Sequence, residues 1–366
     1  MTRDSLLDQD WASVVGRLGG AAELEASARA TGAFRRPRTV QTAVDLLRLV
    51  LAYSLGEHGL RLTAAWASAA GVADLSNVAL LYRLRQCGDW LAVLVSKALA
   101  SAAVSASHGR RVRIVDGTTV LQAGAQASRR NQLWRIHSAF DLPAERFSHF
   151  ELTDQHGGEV LDRIPVVPGE IRLGDRAYLQ VERMAQVIEA RADLVVRANC
   201  KNARWLDAEG RPLDLTARLC AAAQDGIIDQ PIWLGRHTPA APLRLRLVAV
   251  RKSEQARAAA RRKARRQARK EGYCLSQAAL IAADWVILVT SLPPEHYPAQ
   301  DVLALYRLRW RIELGFRRLK SIIGLKRPPG ADPRSAKPYI LAHLLAVLLL
   351  EPVLDEFEDS PRSALA

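Results

Sequence analysis

A chain of 366 residues, 49% of them apolar, can bury one large core or two ordinary ones, with surface scaling favouring two or three domains, and is not disordered by composition. Its net charge of +14 and pI near 10.1 are unusual for a metabolic enzyme of small substrates and predict attraction to a polyanion, nucleic acid first. No apolar run reaches the roughly 18–20 residues of a membrane span, Tyr339 to Leu350 included, and the acidic start MTRDSLLDQDW lacks a signal-peptide core, so a cytoplasmic, nucleoid-associated protein without a membrane partner is expected.

From Ser5 to about Ser107 the pattern is helical, rich in Ala and Leu, and predicts an all-helical N-terminal domain over 1–107. Within it, Leu62–Gly71, a short turn, and Ser76–Arg85 with Ser76 placed as an N-cap outline a helix-turn-helix, although any helical bundle offers such a pair. At Arg111 the texture changes to strands, Arg111–Val115, Leu133–Phe140 and Arg146–Thr153, suggesting an antiparallel meander. Glu170–Gly174, a helical segment Leu179–Arg191 and the strand Ala192–Ala198 complete a first core segment over 108–198.

Residues 199–283 do not continue that alternation and read as a β-rich insertion with strands Pro231–Gly235 and Leu243–Val250. It ends in Arg251–Gly272, which holds ten basic residues against two acidic ones, more than half of the net charge. That stretch favours helix by propensity but has no apolar face, so an exposed basic helix or arm suited to phosphates is expected. The core resumes over 284–328 with the strand Asp284–Thr290 and one helix from about Ala299 to Ile323, stopped by Gly324 and Pro328-Pro329. A short helical segment over 329–366 closes the chain. The four cysteines, Cys87, Cys200, Cys220 and Cys274, are far apart and support neither a zinc site nor a disulfide framework.

The Ala299–Ile323 helix carries Tyr306, Arg309, Glu313 and Lys320. At about 100° per residue these fall at roughly 0°, −60°, −20° and −40°, one stripe that sets a lone carboxylate among cations and a phenol. The plain alternative is a solvated face with an Arg309–Glu313 pair. Two further carboxylates stand at expected strand ends, where α/β sheets place sites: Asp116 after Val112–Val115, and Asp175 after Ile171–Gly174. Each follows apolar residues and is flanked by a glycine, which permits close approach. Either alone could be a turn former. Together, three carboxylates in a basic protein suit hard divalent cations and phosphodiester chemistry. No HExxH, GxxxxGK[ST], GxSxG or strand-end GxGxxG competes, and His137 and His149 read as core residues or supports of the ligands rather than metal ligands themselves.

Tyr306-x2-Arg309-x3-Glu313-x6-Lys320 resembles the YREK signature of the insertion-sequence-four family of DDE transposases. The resemblance runs from about Val112 to Leu325, with Asp116 in Ile-Val-Asp-Gly-Thr-Thr and Asp175 in Leu-Gly-Asp-Arg-Ala-Tyr as its first two acids. It implies an α/β fold with an RNase H-like mixed-sheet core, and Asp116, Asp175 and Glu313 as catalytic ligands of two Mg²⁺, with Mn²⁺ able to substitute. It further implies Tyr306, Arg309 and Lys320 on DNA phosphates, Trp285 stacking on a flipped base, Arg176 as a further contact, and a homodimer pairing terminal inverted repeats with target DNA. Only 46 residues follow Lys320, fewer than many members carry, which fits a short member or a truncated copy. The expected function is a DNA transposase. The alternatives are an inactive transposase-derived DNA-binding protein and a stand-alone RNase H-like nuclease.

Overall fold

The computed structural model describes residues 11–56, 58–101, 109–124, 133–142, 144–200 and 203–358. After a helical stretch over 11–17 come five helices: α1 Gly20–Ala30, α2 Ala43–Leu55, α3 Leu60–Ala69, α4 Asn77–Arg85 and α5 Gly88–Ser101. Thr42 starts α2 with a capping box, accepting from the Asp45 N–H while the Asp45 carboxylate takes the Thr42 N–H. Ser76 caps α4 as its position in the sequence suggests, its Oγ accepting from the Ala79 N–H at 3.2 Å.

Strands β1 Val112–Leu121, β2 Leu133–Asp141 and β3 Arg146–Thr153 follow, then β4 Ile171–Gly174, α6 Val181–Glu189 and β5 Asp193–Arg197. Residues 199–283 contribute β6 Arg204–Leu206, α7 Leu215–Ala221, β7 Ile227–Gly235, β8 Leu243–Arg251, α8 Glu254–Glu271 and α9 Gln277–Ala283. The chain then runs through β9 Trp285–Thr290, α10 Ala299–Arg307, α11 Arg311–Arg317 and α12 Pro333–Glu358.

All nine strands lie in one mixed sheet, in the order β3-β2-β1-β4-β5-β9-β8-β7-β6. The meander β1-β2-β3 is antiparallel, as its texture predicts, and β4 and β5 add in parallel to β1. β9 runs antiparallel to β5, and the strands of 199–283 continue this sheet through it, β8 and β7 extending outward from β9. The physical reason is an open edge. β5 would otherwise expose a row of unpaired backbone groups, and β9 with its neighbours covers them.

Side chains alternate between two cores. One face, with Ile114, Ile136, Leu173 and Leu288, packs in a single cluster with Leu24, Leu46, Leu80, Leu94 and Ile340 of the helices. The other face, with Val115, Val196, Ile287 and Val289, packs with Met184 of α6 and Leu219 of α7. The N-terminal helices thus share a core with the sheet, bridged by α12, which lies against α5 and α2.

The start of the parallel pair is held by charge. Glu170 accepts from Arg113 Nη1 at 3.0 Å and from Arg172 Nε at 2.6 Å, and Arg172, wholly buried, also donates to the Leu161 and Pro165 carbonyls. Two guanidiniums around one carboxylate satisfy every group in the cluster, which is what a buried pair requires. Replacing Arg172 by Ala leaves two carbonyls and part of Glu170 unmet; urea denaturation is expected to show a loss of about 3–5 kcal/mol.

Candidate active site

The sheet register builds the site. Val112 pairs with Ile171 and Ile114 with Leu173; carried two residues further, that register sets Asp116 level with Asp175 on the adjoining strand. The sequence reading ends the first strand at Val115, whereas β1 runs on through Asp116 to Leu121. The β-branched residues Thr118, Thr119 and Val120 keep it paired with β2, Gly117 facing His137 and Val120 facing Trp134. What stops beside Asp116 is the pairing with β4. Asp175 ends β4 as expected, and its Oδ1 accepts from the Ala177 N–H at 2.8 Å, capping a short 3₁₀ turn over Arg176–Tyr178.

Glu313 reaches the same region from α11. Gly315 makes this possible, since a Cβ there would lie 2.6 Å from Cζ of Phe147, inside an aromatic group formed with Phe140, Phe150 and Phe316. The expected single helix from Ala299 to Ile323 is interrupted by a 3₁₀ turn at Leu308–Trp310 and a π turn at Arg318–Ile322. The first overwinds and the second underwinds the helix, so the stripe of four residues survives. Both irregular turns sit where a side chain meets β1. Arg309 Nη1 donates to Asp116 Oδ2 at 3.0 Å, and Lys320 Nζ to the Thr119 carbonyl at 3.4 Å.

Arg309 is the hub of the site. Its other amino group lies 3.4 Å from Glu313 Oε1, and the charge of Asp175 also acts on it. A fourth carboxylate, absent from the sequence reading, joins on the far side. Glu159 Oε1 sits over Gly117, 2.8 Å from where a Cβ would be, with Arg135 Nε 3.8 Å away. The glycines beside the two aspartates therefore admit protein side chains, Glu159 at Gly117 and Tyr178 at Gly174. Burial lifts the Asp116 carboxyl to about 6; its Gly117 N–H bond and Arg309 oppose the rise, while Asp175 and Glu159 add to it. Tyr178, 1% exposed, is raised further by burial and by the same three carboxylates.

Among the described residues no three Asp, Glu, His or Cys side chains converge tightly enough to hold an ion as placed. The donor chemistry nevertheless fits one. Hard carboxylate oxygens stand around a single guanidinium, and a divalent cation would offset both the burial that chiefly raises Asp116 and the smaller repulsion from Asp175 and Glu159. His137, bonded through Nε2 to Thr153 Oγ1 at 2.9 Å and pushed down to about 4 by burial, is a neutral core residue, as read from the sequence.

Beyond Arg309 opens a groove with lobes of about 700 Å³ and 490 Å³, which meet at Arg197, Lys252, Tyr306 and Arg309. Asp175, Arg176 and Trp285 line the larger lobe. Burial and the charges of Arg197 and Arg176 push Lys252 down to about 8, against Asp284. Such crowding of cations calls for an anion. The Tyr306 hydroxyl is buried against the Arg309 guanidinium, and among the described residues no acceptor takes its proton. Trp285 is only 3% exposed and packs in the second core, so its ring offers little face for stacking; Trp310, 51% exposed, stands in the smaller lobe instead. Arg197 and Lys252 were missed by the motif reading. Arg197 ends a parallel strand, and that position alone was a signal. Lys252 was hidden within the run of charge.

Without added metal, folding binds the Asp116 proton more tightly than the unfolded chain does. This contribution is full below the ordinary value near 3.8 and is lost as pH rises through about 6. Asp116→Asn cannot ionise. In chelator it is expected to gain about 1–3 kcal/mol over the wild type on going from pH 4 to pH 7.5, read by urea denaturation at both values.

Residues 107–349 match the family described as "Transposase DDE domain". The chain is 36% identical over 363 residues to the "Transposase for insertion sequence element IS421" of Escherichia coli, and 36% identical over 362 residues to the "Putative transposase InsL for insertion sequence element IS186A" of Escherichia coli strain K12. Each match covers 97% of both chains. The chain belongs to the DDE transposase family, whose domain implies an RNase H-like fold and dependence on a divalent metal.

Proposed function

We propose that this chain is a DNA transposase that cuts at the ends of an insertion sequence and transfers the freed 3′ hydroxyl into target DNA. The observation that carries the reading is the convergence of Asp116, Asp175 and Glu313 on Arg309, at the mouth of a cationic groove. The relatives are named as transposases, which supports the same reaction here.

Asp116, Asp175 and Glu313, with Glu159 in reserve, would hold Mg²⁺, or Mn²⁺ in its place. Bound there, the metal would activate an attacking oxygen and stabilise the leaving one. The chain's own residues do the rest. Arg176, Arg197 and Lys252 bind the phosphates of a strand in the groove, and the Tyr306 hydroxyl, whose proton has no acceptor among the described residues, donates to one of them. With a metal bound to the carboxylates, the Arg309 guanidinium would be free to hold a phosphate. Lys320 steadies the helix against β1 and neutralises DNA at that edge. Trp310 supplies an exposed ring for an unstacked base, with Trp285 behind the larger lobe. The helix pair α3–α4, which presents Val78 and Tyr82 to solvent, is our candidate for recognising the terminal repeat, and two copies would pair the two ends.

The test is cleavage and joining of a labelled duplex carrying the element's own terminal repeat, with Mg²⁺ or EDTA. Glu313→Gln is expected to bind the duplex normally and to nick it about a thousandfold more slowly. Tight binding without nicking by the wild type would support the inactive DNA-binding alternative. Trp310→Ala is expected to weaken binding of a frayed or single-stranded end by about 1–3 kcal/mol while leaving a fully paired duplex nearly unaffected, as measured by fluorescence anisotropy.

A further inference from the structure

Helix α8 is a wall with two unlike faces. Its inner side, Ala260, Ala264 and Ala268, turns toward the body, and Lys263 and Gln267 border the larger lobe of the groove. Arg261 ties the helix down, donating from Nε to Asp284 Oδ1 at 2.7 Å and from Nη2 to Oδ2 at 2.5 Å; Asp284 is buried at the start of β9. Ser253 caps its first turn, and Gly272 ends it with φ 71°.

The outer side carries Arg262, Arg265, Arg266, Arg269 and Lys270, all exposed. Among the described residues none of the five has a carboxylate in ion-pair range, and they stand three or four apart on one face. Each such like-charge pair costs about 0.2–0.5 kcal/mol of helix stability. The fold thus caps and anchors a helix that repels itself, and among the described residues no carboxylate pairs with these five to offset it. A polyanion would. From Arg262 to Lys270 the cations span about 12 Å, the rise of three to four base pairs. Guanidinium and ammonium groups along a phosphate backbone position DNA without selecting its sequence.

We propose that this outer face of α8 holds the backbone of the target duplex, whatever its sequence, while the inner side of the same helix borders the groove that takes the transposon end. The assignment rests on the transposase reading. One helix thickness, about 10 Å, then separates the two DNAs that strand transfer must join. A face contacting only phosphates suits the target, since the end must be recognised and the target need not be.

The test is the quadruple variant in which Arg262, Arg265, Arg266 and Arg269 each become Gln, a change that keeps helix propensity. Affinity for a duplex of unrelated sequence is measured across a salt series; the log–log slope is expected to be shallower than wild type by about three to four. Nicking of the end duplex is expected to stay within about twofold, whereas joining of a precut end to a plasmid falls at least tenfold. An unchanged slope would make α8 a solvated face and overturn the proposal. Nicking that falls in step with joining would mean that α8 holds the end rather than the target. If the wild type neither nicks nor joins, the transposase reading fails and takes the target assignment with it, even where the slope still differs.

Discussion

The parallel pairing of β1 with β4 is the constraint on which the site depends. It is short, three paired positions, and begins at the buried cluster of Arg113, Glu170 and Arg172. From that start the register leaves no freedom: Asp116 and Asp175 must come level at the other end. A slip of one residue would turn one of the two carboxylates to the opposite face of the sheet. The ion pairs at one end and the acidic residues at the other are thus coupled through three residues of backbone.

Bringing carboxylates together in a partly buried place has an electrostatic cost that the protein meets with Arg309. The guanidinium bonds to Asp116, approaches Glu313 and feels Asp175, so one planar group serves three acids. Yet Glu313 remains 65% exposed on its side chain, and Asp116 still holds its proton up to about pH 6. The cluster is satisfied enough to fold and not enough to be inert.

The strands that follow β5 give the site its second half. By extending the same sheet, β7, β8 and β9 carry Lys252 and α8 to the lip of the groove, where Arg176, Arg197 and Tyr306 already stand. The groove is therefore made by three stretches of chain that meet only in the fold. Its cationic lining and its carboxylates share Arg309.

By itself the sequence determined the class of partner, through its basic excess, and the helical stripe of Tyr306, Arg309, Glu313 and Lys320, because a periodicity of 3.6 residues is local. It also located Asp116 and Asp175 through the apolar runs before them. The strands were legible for the same reason, though not that β1 continues past Asp116, since its pairing with β2 is a nonlocal fact. Only the tertiary structure decided that Glu159 leans over Gly117, that Arg197 and Lys252 face the groove, and that Trp285 is buried while Trp310 is not. Those outcomes depend on which strands lie side by side and how closely helices approach them. Such contacts join residues tens to hundreds of positions apart, and no spacing along the chain encodes them.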